Sequence, residues 1–180
     1  MKLTTAVLAM ILCAPAAALA QRVQIDHLDR LADRAEEVVN VTITPEMLKL
    51  FSSIIPENDA NALAAKKMVG ALRGIYVRVF EFSSARAYSA DDINTIRKQL
   101  TNPRWNRMVT VDSKRDGEMV DVYMWMDDGK IDGLFVMVAE PNELVVVNIV
   151  GPIDPSMLPA LRGLGVPDLP AIQTPAARKQ

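Results

Sequence analysis

Four strand-like runs stand almost back to back between Arg107 and Gly151, and no other feature limits the fold of this chain as strongly. They cover Arg107 to Lys114, Glu118 to Asp127, Lys130 to Glu140 and Glu143 to Gly151, each dense in β-branched, methionine or aromatic residues. Their links are Asp116-Gly117, Asp128-Gly129 and Pro141-Asn142, and Asp-Gly supplies the positive φ angles that tight hairpins need. The segment is expected to form an antiparallel meander.

Helical periodicity dominates the chain before it. Ile25, Leu28, Leu31, Ala32, Ala35 and Val38 recur at helical spacing with charged residues opposite, predicting an amphipathic helix from Ile25 to Val38. Val39, Val41 and Ile43 then alternate with Asn40 and Thr42 as a short strand. Thr44-Pro45-Glu46 gives an N-cap, a first-turn proline and an acid for a second helix, which runs to about Ile55 and is stopped by Pro56. Asn58 or Asp59 caps a third helix through Ala60, Leu63, Met68 and Leu72. Ile75 to Phe82 reads as a strand, and Ser89 with Asp92 reads as a capping box for a helix placing Ile93, Ile96 and Leu100 on one face. A short helix is expected after Asp154-Pro155, reaching about Leu161. Helices segregated before strands predict an α+β class: a four-stranded antiparallel meander plus one or two further strands, with helices packed on the sheet.

Two-residue turns at every hairpin would fix the register and hence the faces. One face then holds Met124, Gly133 and Val150, with Val111, Val122, Phe135 and Asn148, and with Val120, Met137 and Val146; it reads as core. The other aligns Asp112, Asp121, Val136 and Val147, then Thr110, Tyr123, Leu134 and Ile149, then Met108, Trp125 and Asp132. This mixed face needs a cover: a helix, a second subunit or a ligand.

The first twenty residues read as an export signal: Lys2, an apolar run from Ala6 to Leu12, and small residues up to Ala20. Cleavage after Ala20 would start the working chain at Gln21. The chain then divides into a cleaved leader (1–20), one α+β domain (21–163) and a Pro-rich flexible tail (164–180). Cys13, the sole cysteine, follows bulky Ile11 and Leu12 and so does not read as a lipid-anchor site. Without it the mature chain lacks disulfides and thiolate chemistry, and the expected location is periplasmic or secreted. A formal charge of −2 with no basic block argues against nucleic-acid binding. The most apolar region, Leu134 to Val150, is broken by Glu140-Pro141-Asn142-Glu143, so no transmembrane segment is expected in the mature chain.

The site candidates follow from the mixed face. Asp112 and Asp121, opposed across a strand pair, could share a proton or a cation, although solvation at an edge explains them as well. Asp112 to Gly117 superficially resembles a calcium loop, but Lys114 and Tyr123 occupy ligand positions. His27, the only histidine, reads as a solvated residue, and no Gly-x-Ser-x-Gly elbow accompanies it. Tyr123 and Trp125 could stack on a planar ligand with Asp121 or Asp132 taking hydrogen bonds, or could simply pack under a cover. Asn148, polar among apolar strand residues, is expected to bond to nearby backbone. No metal site and no cofactor is expected.

Four stretches carry a family resemblance: Thr44 to Leu50, Gly74 to Phe82, Asp116-Gly117-Glu118, and Val146 to Asp154. Together they resemble the exported bacterial family catalogued as domain of unknown function 4252, over about Ile25 to Leu161. The resemblance implies a bacterial envelope protein without assigned activity, with a link to envelope-stress signalling, and carries over no catalytic residue. The resulting expectation is a non-enzymatic binding domain that uses the open sheet face to hold an envelope protein, an identical subunit or a small ligand. Its alternative is a hydrolase acting on an envelope polymer through Asp112 and Asp121.

Overall fold

The computed structural model describes residues 21–85 and 87–154. The leader, the helix expected after Asp154-Pro155 and the tail lie outside the described residues. A 3-10 helix, Asp26–Arg34, leads into β1 (Glu37–Ile43), α1 (Pro45–Ile54), α2 (Ala60–Ala71), β2 (Gly74–Glu81) and α3 (Ala90–Gln99). Four strands follow: β3 (Trp105–Ser113), β4 (Glu118–Asp127), β5 (Lys130–Glu140) and β6 (Glu143–Val150). All six pair antiparallel in the order β1-β2-β6-β5-β4-β3. The class is α+β, with the meander completed by two further strands.

The helix starts are set by their caps. Thr44 Oγ1 accepts from the Met47 N–H ahead of Pro45, Asp59 Oδ1 accepts from the Ala62 N–H at 2.8 Å, and Ser89 and Asp92 cap each other reciprocally. The first helix departs from expectation. It is a 3-10 helix ending at Arg34, and Ala35 is already extended at φ −82°, ψ 144°. Val38, Val39, Val41 and Ile43 are β-branched and fit a strand beside β2 better than a helix, so β1 claims the residues from Glu37 onward.

Each sheet face carries a core. On one, Leu28 and Leu31 of the 3-10 helix and Ile93, Ile96 and Leu100 of the α3 region pack on Phe80, Tyr123, Trp125, Phe135, Met137 and Val146. On the other, Leu48 of α1 and Leu72 join Ile75, Val120, Val122, Val136, Val147 and Ile149. Covering a leucine the size of Leu28 or Leu31 stabilises by about 1.5–3 kcal/mol. β6, central and covered on both faces, is buried from Leu144 through Val150. Its sequence is accordingly apolar without alternation, save for Asn148.

Two details of register overturn the expected faces. The β3–β4 turn spans four residues, since Ser113 pairs with Glu118, so Asp112 opposes Met119 and Asp121 opposes Thr110. The β4–β5 hairpin starts as expected with Asp127 opposite Lys130, but a bulge follows, and Trp125 pairs with Gly133 while Met126 pairs with Ile131. Asp132 is the extra residue. Beyond it every β4 side chain meets the opposite parity of β5 from the one expected. Asp121, Tyr123 and Trp125 therefore share a face with Phe135 and Met137, under the helices, and the β5–β6 pairs Phe135 with Asn148 and Met137 with Val146 stand as expected.

Candidate functional site

The five residues singled out from the sequence do not form one open surface. Asp121 is fully buried. Arg97, projecting from α3, brings Nε to 2.8 Å and Nη2 to 2.6 Å of Asp121 Oδ2, and Thr110 Oγ1 donates to Oδ1 at 3.0 Å. Both carboxylate oxygens are thus occupied, as a carboxylate in an apolar layer requires. Arg97 Nη2 also lies 2.8 Å from Met119 Sδ. Asp112 is exposed on the edge strand and does not oppose Asp121, so the expected carboxylate pair is not formed.

Tyr123 and Trp125 are 3% and 1% exposed, which leaves no free stacking platform. The Tyr123 hydroxyl accepts from Arg107 Nε at 2.9 Å, and Trp125 meets Trp105 edge-on with centroids 5.3 Å apart. Cross-strand packing under a cover, the plainer of the two readings of these aromatics, is what the fold uses them for. Asp132, on its bulge, holds Arg73 Nη2 at 2.6 Å and Gln21 Nε2 at 2.7 Å. Asn148 accepts the Val23 N–H at 3.0 Å and donates to the Leu134 carbonyl at 3.3 Å, the backbone role expected of it. Together Asp132 and Asn148 tie residues 21–23 to the sheet. His27 is half-buried, not solvated, with Nε2 3.1 Å from the Asp92 carbonyl. The calcium-like stretch is a turn: Ser113 Oγ and Asp116 Oδ2 are 2.8 Å apart and Gly117 has φ +72°. Among the described residues no group of three or more His, Cys, Asp or Glu side chains could hold a metal ion.

A groove of about 450 Å³ is lined by Ala64, Lys67, Met68, Lys130, Ile131 and Ile153, and two further surface features remain among the described residues. A shallow cleft of about 290 Å³ lies between α3 and the sheet, lined by Tyr88, Ile93, Asn94, Arg97, Met119 and Ala139. Among the described residues its one cation, Arg97, is already engaged by Asp121. The second feature is apolar. On α1, Met47, Leu50, Phe51 and Ile54 are 41%, 63%, 40% and 73% exposed, and Val38 and Val39 of β1 are 42% and 36% exposed. The α1 residues sit at i, i+3, i+4 and i+7, one continuous stripe, while Leu48 supplies the buried contact. That spacing is legible in the sequence. It marks a second apolar flank on a helix whose inward side needs only Leu48.

The family described as domain of unknown function (DUF4252) matches residues 33–161. The chain belongs to this family. The DUF4252 match takes in all six strands and the three α-helices, and it opens at Asp33, near the end of the 3-10 helix. Comparison of the DUF4252 chain with curated proteins and with solved structures finds no match. Among its described residues no helix is long and apolar enough to cross a membrane.

Proposed function

We propose that this chain is an exported bacterial envelope protein that works as a non-enzymatic interaction domain, engaging its partner through the margin formed by α1 and β1. The observation that carries the reading is the stripe Met47, Leu50, Phe51 and Ile54, held in water on a well-capped helix. Exposed apolar side chains in such a continuous patch lose free energy to solvent unless something covers them. The sheet face first considered for this task is already covered by the chain's own helices. The hydrolase alternative loses its support, because Asp112 and Asp121 do not face one another and Asp121 is locked by Arg97 and Thr110.

Site-specific photo-cross-linking in the producing cells tests this. A photoreactive residue at Leu50 or Ile54 is expected to give a discrete protein adduct that Phe51→Glu abolishes, while the same probe at exposed Asp128 gives none. Equal labelling at all three positions, or none at any, would sink the proposal. Intact mass of the exported protein checks the compartment: export predicts a chain beginning at Gln21, and a chain retaining Met1 would count against it.

A further inference from the structure

The two edges of the sheet are guarded differently. β3 is interrupted by a bulge between Arg107 and Val109 and exposes Arg107 and Asp112, features that discourage another strand from pairing. β1 is less guarded: it pairs with β2 in unbroken register over seven residues, contains no Pro, Lys or Arg, and carries charge only at Glu37, with Arg78 of β2 reaching across one face to donate to the Asn40 side-chain oxygen. Its outward backbone can be assigned. The Phe82 N–H donates to the Asn142 carbonyl at 2.8 Å, so even-numbered residues of β2 address β6 and odd-numbered ones address β1. Glu37, Val39, Val41 and Ile43 consequently bond to β2, while Val38, Asn40 and Thr42 turn their N–H and C=O groups to the side on which no described strand pairs.

α1 follows β1 directly through Thr44 and packs by Leu48 on the sheet face of Val77 and Val79. A Cβ at Gly70 of α2 would lie 3.2 Å from Ser52 Oγ, and α2 continues over Lys130 and Ile131 of β5 through Met68 and Ala71. α2 therefore occupies the flank of α1 that faces the middle of the sheet. Met47, Leu50, Phe51 and Ile54 emerge on the opposite flank, towards β1.

We propose that this margin binds a second copy of the chain, β1 pairing antiparallel with β1 of the other copy about a two-fold axis at Asn40, and the two α1 stripes packing on each other across the same axis. The inference rests on the interaction-domain reading and names its partner. An antiparallel strand paired with itself matches odd residues to odd and even to even, and centring on Asn40 is the register that uses all seven. It sets Val39 against Val41 of the second copy, Val38 against Thr42 and Glu37 against Ile43, so no like charges are opposed. A two-fold axis perpendicular to the sheet leaves both α1 helices on the same face. Met47, Leu50, Phe51, Ile54 and Val39 are the exposed apolar side chains on the α1 face, Val38 standing on the other face with Phe80, and together they make a patch on the scale of the largest found on monomers. Stable dimers bury ~800 Å² per partner, so the strand edge with Asn40 and Thr42 and the polar Ser53 would have to supply the rest.

Sedimentation of the exported chain at tens of micromolar is expected to give a dimer, and Leu50→Glu with Ile54→Glu to weaken it about 100-fold without altering the monomer's fold. In a Cys13→Ser background, Asn40→Cys should oxidise to a covalent dimer, because a hydrogen-bonded antiparallel pair brings its Cα atoms to about 5.5 Å, within disulfide range. Asp112→Cys on the guarded edge should not. A monomer at these concentrations, with Asn40→Cys cross-linking no faster than Asp112→Cys, overturns the proposal. Photo-adducts at Leu50 carrying a different protein would also overturn the second copy while leaving the interaction domain standing; no adduct at Leu50 removes both.

Discussion

Asp121 illustrates how a carboxylate is carried into an apolar layer: Arg97 covers one oxygen and Thr110 the other. The two partners are unequal, since the Asp121 side chain is 1% exposed and that of Arg97 32%. Arg97→Met strands the carboxylate beside Thr110 and should cost about 3 kcal/mol. Asp121→Asn leaves a guanidinium that can turn to water and should cost about 1 kcal/mol. Urea denaturation of both variants at neutral pH checks the order; the reverse order would mean that Arg97 is not what holds Asp121. Two glycines offer a second contrast. Gly151 has φ +126°, and a Cβ there would lie 2.8 Å from Leu72 Cα, whereas Gly129, at φ +74°, has nothing within 4 Å. Gly151→Ala should destabilise by more than ~2 kcal/mol and Gly129→Ala by about 1 kcal/mol, read from the same curves.

At the scale of the elements, one end of the sheet carries a row of like charges. Glu37 opposes Glu81, Glu81 opposes Glu143, and Glu143 opposes Glu140, across four neighbouring strands. Partial burial, then the charges of Glu140 and Glu81, push the Glu143 carboxyl above the ordinary glutamate range. A folded carboxyl that holds its proton more tightly than the unfolded one favours the fold at low pH, and that contribution is lost as pH rises through the raised value. Glu143→Gln should therefore raise the melting temperature near pH 8 and lose its advantage near pH 4, close to the ordinary glutamate value. Equal gains at both pH values would show that the row exerts no strain on the sheet. These strands also show which part of an element is readable from sequence. Caps and the later bounds were legible, the end of the first helix and the start of β1 excepted, because Thr44, Asp59, Ser89 and the Asp-Gly pairs act within a few residues of themselves. The register across β4 and β5 was not, because the bulge at Asp132 answers to Arg73 and Gln21, distant in sequence.

For the whole molecule, Asn148 and Asp132 bind the start of the described chain to the middle of the sheet. Asn148→Val would leave the buried Val23 N–H without its acceptor, and faster amide exchange confined to residues 21–25 is the expected outcome, with the strands unaffected. Unchanged exchange there would show that Asp132 alone suffices. The α+β class and the four-stranded antiparallel meander could be read from the chain, as could its family. The candidate site could not, because exposure is a property of the assembled molecule. Tyr123 and Trp125 look like a surface until the 3-10 helix and α3 prove to cover their face, and Met47, Leu50, Phe51 and Ile54 prove exposed because Leu48 is the α1 residue that packs.

The bulge at Asp132 has a consequence for how such a sheet can change length. Side chains alternate, so a deletion of one residue between Lys130 and Gly133 exchanges the two buried sets of β5 between the cores of the two faces, sending Phe135 and Met137 out of the layer beneath Leu28 and Ile96. A deletion of two preserves the alternation. Among sequences sharing this fold, length changes in that hairpin should therefore come in pairs, or come singly only where a second change restores the count.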